Sequence, residues 1–332
     1  MHRVSIMADS YVLRNCQLLI AAGYYRQNIK MMKTILITGG TGLIGRYLCE
    51  KLRERGYSVM VLSRTSNKHI GFKTYAWDFE KQEFEKEAIE LADCIIHLAG
   101  ANLGEERWTE KRRKLIMDSR VNSSQLIFDK TKEFNNVKVF ISASAIGYYG
   151  TITSDRIFSE ADKPSNDFLG NVCQQWEQSA DKFEELGIRV VKIRTGVVLT
   201  KHEGALSKMT SLVKVGLGSA IGSGKQYIPW IHIDDLCDIY IKAIEDVQMK
   251  GSYNAVAPDH KTNRDFYAEI ASILKKPFWV PNVPAIILKL VFGNMSAILL
   301  NGSRVSCEKI IKTGYRYKFA TLKNALTDLL TK

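Results

Sequence analysis

No two of the six cysteines (Cys16, Cys49, Cys94, Cys173, Cys237, Cys307) stand as a Cys-x-x-Cys pair. Neither a zinc site nor a disulfide framework is therefore expected, no metal is assigned, and a reducing cytoplasm suits the chain. Long apolar runs are also missing. Leu18 to Tyr25 is too short to span a bilayer, and Pro284 to Leu300 is broken by Lys289, Gly293 and Asn294. That second stretch is open to two readings, an interfacial helix or packing inside a second lobe, and the latter is the expectation. Low-complexity tracts and repeats are absent, which excludes a disordered or solenoid chain. Acids are the scarcer charge, 35 Asp and Glu against 47 Lys and Arg, leaving +12 at pH 7. Such an excess suits nucleic acid, a phosphate-rich cofactor or an acidic substrate. The densest basic run, Lys111 to Lys114, comes without an aromatic stacking pattern or a nucleic-acid motif. It reads as a solvated helix face, and no nucleic-acid partner is expected.

What is present begins with Thr34-Ile-Leu-Ile-Thr-Gly-Gly-Thr-Gly-Leu-Ile-Gly45, a β-branched strand that breaks into glycines and then a helix. A residue without Cβ lets the chain turn sharply and approach a pyrophosphate, while the following helix aims free N–H groups and its positive end at the charge. Gly39 makes the turn, Gly42 the close approach and Gly45 the contact of helix with sheet. The next strand, Ser58 to Leu62, ends in Ser63-Arg64, where an NAD-selective site would carry an acid. A guanidinium and a hydroxyl suit a ribose 2′-phosphate instead, so the expected cofactor is NADP(H).

Further apolar runs at Lys73 to Trp77, Cys94 to Leu98, Val137 to Ser142 and Arg189 to Ile193 alternate with helices at about 109–132 and 168–186. The pattern predicts an α/β fold, a doubly wound parallel sheet of Rossmann type with a smaller C-terminal substrate lobe. Residues 1–32 are expected to be an extension before a mis-assigned start, or alternatively a targeting segment. Residues 33–255 form the dinucleotide domain with interleaved lobe segments, and 256–332 the C-terminal lobe. Ligands of such sheets gather at the strands' carboxyl ends, which singles out Asp78, His97 to Gly100, Ser144 and Thr195-Gly196.

The glycine turn, His97-Leu-Ala-Gly100, Ser142-Ala-Ser-Ala145 and Trp230-Ile-His-Ile-Asp-Asp235 resemble the extended short-chain dehydrogenase/reductases and sugar-nucleotide epimerases. Arg194-Thr-Gly-Val-Val-Leu199, Gly222-Ser-Gly-Lys-Gln226 and the ending Gly302 through Tyr315 narrow the resemblance to the atypical epimerase family subgroup, over about residues 33–330. The resemblance implies a cofactor site built from Gly39, Gly40, Thr41, Gly42, Leu43, Ile44, Gly45, Ser63, Arg64, Asp78, Leu98, Ala99, Gly100, Arg120 and Val198. It supplies no substrate.

Active members of the wider superfamily pair a proton-exchanging tyrosine with a lysine four residues later. Here those positions hold Leu169 and Cys173. Ser144 remains as the group that polarises a substrate oxygen, and Tyr148 or Tyr149 could supply a proton, Tyr148 being assigned with Ser144 as catalytic. His232 is expected to be structural, and Trp176 and Trp230 to serve packing. The leading reading is an NADP(H)-dependent oxidoreductase or epimerase acting on a small carbonyl or hydroxyl compound, as monomer or homodimer. The alternative is an NADP(H)-sensing binding protein with a protein partner.

Overall fold

The computed structural model describes residues 33–64 and 71–331, so the extension before Lys33 lies outside the described residues. Eight strands form one sheet in the order β11-β8-β6-β5-β1-β2-β3-β4. They are β1 Thr34–Thr38, β2 Ser58–Ser63, β3 Lys73–Asp78, β4 Glu83–Phe84, β5 Cys94–His97, β6 Val139–Ala145, β8 Arg189–Thr195 and β11 Gly251–Ala255. Every pairing is parallel except β3 with β4. Strand order reverses at β1, flanked by β2 and β5, and in sheets of this kind ligands bind beyond the carboxyl ends at that point.

The apolar runs are strands because alternate residues feed two different cores. Ile35, Ile37, Val59, Val61, Cys94, Ile96, Val139 and Ile141 pack on one face with α1 (Leu43–Glu54) and α6 (Ile233–Glu245). Leu36, Met60, Leu62, Ile95, Phe140 and Val190 pack on the other with α3 (Glu110–Thr131). Both faces are covered, as a parallel sheet requires. The charged segment between β3 and β5 contributes the short antiparallel β4 and the one-turn α2 (Glu87–Glu90).

A third core lies beyond the sheet. It joins α5 (Gly204–Lys214), α7 (Asn263–Ile273) and α11 (Leu322–Thr331) around Trp230, Phe266 and Leu326. There β9 (Val197–Leu199) pairs with β10 (Trp230–His232), and β7 (Ile157–Phe158) pairs with β12 (Arg304–Val305). A small cluster of Trp108, Ile116, Leu169, Val172 and Met295 seals the seam beside α4 (Phe168–Asp181).

Two expectations are corrected. Arg112, inside the basic run, is buried, donates to Asn102 O at 2.6 Å and lies 3.2 Å from Glu105, so that run is only partly a solvated face. The 284–300 stretch does not pack into the lobe along its length. In α8 (Ala285–Phe292) only Leu288 is buried, and α9 (Ala297–Leu300) buries none. The short α10 (Glu308–Lys312) completes the helices.

Candidate active site

Gly39 leaves β1 with φ +69°, a left-handed conformation that side-chain-bearing residues rarely adopt. A Cβ there would stand 3.0 Å from the backbone of Leu98 and Ala99, so the same glycine admits the loop after β5. The Gly42 N–H donates to Gly39 O at 3.0 Å, and a Cβ on Gly42 would meet only that oxygen. Gly45 rests on the turn rather than on the sheet as expected: its Cβ would lie 2.3 Å from Gly39 O and 2.6 Å from Gly40 Cα. Gly42 caps α1 without a side-chain bond, and no acid occupies the first helical turn. Among the described residues no side chain caps the leading N–H groups and no acid answers the positive end of the dipole, and the open cradle fits a pyrophosphate. Thr41, Leu43 and Ile44 line its mouth half-buried, with Leu43 packed toward Gly204.

At the end of β2, Ser63 is buried and Arg64 exposed, and among the described residues no acid pairs with Arg64. Asp78 accepts from the N–H groups of Glu80 (2.9 Å) and Lys81 (3.2 Å), shaping the turn after β3. Val198 sits in β9 opposite Ile231, and both pack on the core shared with α1 and α6.

The loop after β5 is pinned through Thr38. Its Oγ1 accepts from the N–H groups of Leu98 (3.2 Å) and Ala99 (3.1 Å), so its own proton goes to His97 Nδ1 at 2.7 Å. That fixes the His97 tautomer, with Nε2–H donating to Ser123 Oγ at 3.1 Å, and Ser123 donating on to Ser119 O at 2.7 Å. Burial pushes the His97 imidazole down to about 4, so the ring is neutral.

Arg120 is a buried cation without a carboxylate within ion-pair distance among the described residues. It donates to Ile116 O (2.9 Å) and Ala101 O (3.1 Å), and its guanidinium lies 4.9 Å from the Trp176 ring centroid. A Cβ on Gly100 would come within 3.0 Å of Arg120 Cζ, so Gly100 makes room for it. Trp230, by contrast, is a core residue whose indole donates to Asp259 O. His232 is structural too: Nδ1 accepts from the Asp234 N–H at 3.1 Å, and the ring stacks on Phe319 at 3.8 Å.

The reacting end holds a network the sequence reading did not foresee. Ser144 is buried and donates to Glu177 Oε1 at 2.7 Å. Arg194 grips the same carboxylate twice, Nε to Oε1 at 2.7 Å and Nη2 to Oε2 at 2.9 Å, and Ser252 adds a bond at 3.0 Å. Burial disfavours the Glu177 charge, but Arg194 more than offsets it and the carboxyl lies below its ordinary range. For Arg194, burial is likewise outweighed by Glu177, and its affinity for the proton rises. Arg194 Nη1 also donates to Tyr149 Oη at 3.0 Å, and Tyr149 donates to Asn254 Oδ1 at 2.7 Å. Tyr149 is thus fully engaged and pushed up to about 12 by burial. Tyr148 is only half-buried, and its ring lies 3.4 Å below the Arg194 guanidinium. Burial raises the Tyr148 phenol and Arg194 opposes that rise.

Helix geometry explains what replaced the usual pair. Leu169, Cys173 and Glu177 follow one another at four-residue spacing and so share a face of α4. A Cβ on Gly147 would lie 3.4 Å from Leu169 and 3.6 Å from Cys173 Sγ, so that face meets the Ile146–Tyr149 turn. Cys173 is buried and its thiol pushed up to about 12 by desolvation, which rules it out as a nucleophile at neutral pH. Glu177 was legible only as an acid on the helix face that also carries Cys173 and Ala180.

Pairing register puts these groups on one edge. Thr38 is level with His97, His97 with Ser142, and Ser144 with Arg194 two residues further along. Ser144 therefore lies two strands across from the glycine turn, roughly 10 Å, and about 7 Å beyond it, within reach of an extended dinucleotide.

The model of the NAD dependent epimerase/dehydratase family matches residues 35–256. This chain belongs to that family. A domain of unknown function, DUF1731, matches residues 283–329. An epimerase family protein of Staphylococcus aureus strain MRSA252 is 34% identical over 311 residues, 91% of this chain and 100% of the relative. Among solved structures, human epimerase family protein SDR39U1 (isoform 2) with NADPH is similar at TM-score 0.79 and 31% identity, over 90% of this chain and 99% of that one. A nucleoside-diphosphate sugar epimerase from Corynebacterium glutamicum has TM-score 0.73 and 28% identity, over 96% of this chain and 64% of that one. The UDP-glucose 4-epimerase of Thermotoga maritima, at 19% identity and TM-score 0.72 over 88% of this chain and 97% of that one, shares the fold. The chain is thus an atypical extended short-chain dehydrogenase/reductase with a Rossmann-like nucleotide site. No described helix is long and apolar enough to cross a membrane.

Proposed function

We propose that the protein binds NADP(H) and interconverts a small carbonyl compound and its alcohol, with Tyr148 exchanging the proton of the reacting oxygen and Ser144 orienting the substrate. The Gly39–Gly45 cradle would hold the pyrophosphate, with Leu98, Ala99 and Gly100 along the dinucleotide. Arg64 and Ser63 would take the 2′-phosphate, Asp78 and Val198 would bound the two ends, and Arg120 would add charge beside the loop. When bound, the nicotinamide supplies or accepts the hydride.

The observation that carries this reading is the Ser144–Glu177–Arg194–Tyr148 network at the sheet's carboxyl edge. Because Ser144 spends its proton on Glu177, it has none to give a carbonyl oxygen; its remaining lone pairs accept from a hydroxyl of the substrate other than the reacting one and orient the molecule. The proton exchanged with the substrate oxygen then falls to Tyr148, whose half-exposed phenol can recover it from water. Arg194, face-on to that ring, stabilises the phenolate as it forms. Support for NADP(H) over NAD(H) is Arg64, which no acid pairs among the described residues, together with the NADPH in the human relative's structure. The five described cysteines are free and buried, in keeping with work in the cytoplasm.

Calorimetric titration of the wild type and Arg64→Asp with NADPH and NADH tests the cofactor. The variant should lose at least about tenfold in NADPH affinity, one bidentate charge contact, while NADH binding holds. Equal losses would remove the phosphate assignment, and no heat with either dinucleotide would end the reading. With cofactor bound, Tyr148→Phe should retain that affinity and lose NADPH oxidation across a panel of small aldehydes and ketones.

A further inference from the structure

Of the fifteen large hydrophobic side chains exposed among the described residues, nine fall in just two segments, 212–217 and 279–298. Trp279 is 74% exposed, Leu290 71%, Ile286 67% and Val215 67%. The segments belong to one surface, because the strand-like run 219–222 bonds directly to 281–283: Val283 N–H donates to Ala220 O and Gly222 N–H to Val283 O, both at 2.9 Å. Scattered apolar residues need no explanation, but a concentration of this kind marks a docking face.

Charge identifies the occupant. No acid occurs in residues 204–233 or 270–307. Lys208, Lys214, Lys275, Lys276 and Lys289 are exposed within them, and among the described residues none forms an ion pair. At the C-terminal end of α8, Arg107 donates to Val291 O at 2.8 Å, and the two acids that precede it, Glu105 and Glu106, turn to Arg112. A second copy related by a two-fold axis would set these lysines against their own copies. Protein interfaces moreover favour Arg and deplete Lys. Lysines surrounding aliphatic side chains and an exposed tryptophan match an anionic lipid surface, where the stems follow the apolar layer and the ammonium groups reach the headgroups.

We propose that this face, formed by α8, Trp279 and the 212–217 segment, seats the protein peripherally on anionic membranes. This rests on the surface alone and stands apart from the reading of the active site. The test is co-sedimentation of the full chain with vesicles of phosphatidylcholine alone or mixed equally with phosphatidylglycerol. Binding should occur on the mixed vesicles, weaken as salt rises, and blue-shift the Trp279 emission, a change absent in Trp279→Phe. Lys276→Glu/Lys289→Glu should weaken partition by about tenfold or more, and Ile286→Asp/Leu290→Asp should abolish it, with unchanged thermal melts showing that both variants fold. Equal partition into the two vesicle types would overturn the proposal. So would vesicle binding that survives both double variants, or a concentration-dependent dimer that Ile286→Asp/Leu290→Asp dissociates in the absence of lipid.

Discussion

The guanidinium of Arg194 lies face-on to Tyr148, 3.4 Å from the ring centroid. The same cation is held by two bonds to Glu177, so three side chains from the turn after β6, from α4 and from β8 form one connected unit. Its members stabilise one another only as a set.

Glu177→Ala should therefore be strongly destabilising. It leaves Arg194 buried without its counter-ion and frees the Ser144 and Ser252 hydroxyls, and breaking one side of a buried pair typically costs about 3–5 kcal/mol. Glu177→Gln should cost less, since its amide oxygen still accepts bonds. Urea unfolding curves for both variants check the order; equal stability in the alanine variant would show that Arg194 had found another partner.

Acid should weaken the fold through His97. Its folded-state value near 4 lies below the ordinary 6.5 because burial disfavours the charge, so below pH 6.5 the unfolded chain takes up the proton first. Stability is complete above that pH and is lost progressively toward pH 4, by of order 3 kcal/mol for this group. Melting temperatures at pH 7.5 and 5 should diverge in the wild type. The gap should narrow in His97→Gln, and an unchanged gap would assign the dependence to other groups.

Gly45→Ala should damage the cradle more than its one added methyl suggests. The new carbon would meet the carbonyl of Gly39 and the Cα of Gly40, which are backbone and cannot swing aside. Overpacking of this kind costs about 1–3 kcal/mol, and the displaced turn should lose dinucleotide binding as well. Calorimetry against NADPH, with a thermal melt of the same sample, separates the two effects.

Much of this fold was readable because its strands are buried on both faces and its turns use glycine for steric reasons. The runs at 34–38 and 58–62 are apolar enough to be recognised alone, and Gly39 and Gly45 announce a backbone constraint that no neighbour has to supply. The reacting end was less legible. Ser144 could be placed by its position after a strand, but Glu177 and Arg194 meet through α4 and β8, and nothing in either segment reveals that distant pairing. The fate of α8 was misjudged for a related reason. Seven apolar residues out of eight imply burial when a partner is at hand, and the lobe offers one only to Leu288.

The four-residue step along α4 has a consequence for what can enter. Its polar rung, Glu177, sits one turn past the position of the absent lysine, about 6 Å along the axis, and two turns past that of the absent tyrosine. The wall nearest the reactant is consequently greasy, and only the opposite rim can hand over a proton. A guest lying against that wall then meets the side chains of Leu169 and Cys173, and any bond to its oxygen has to come from the opposite rim.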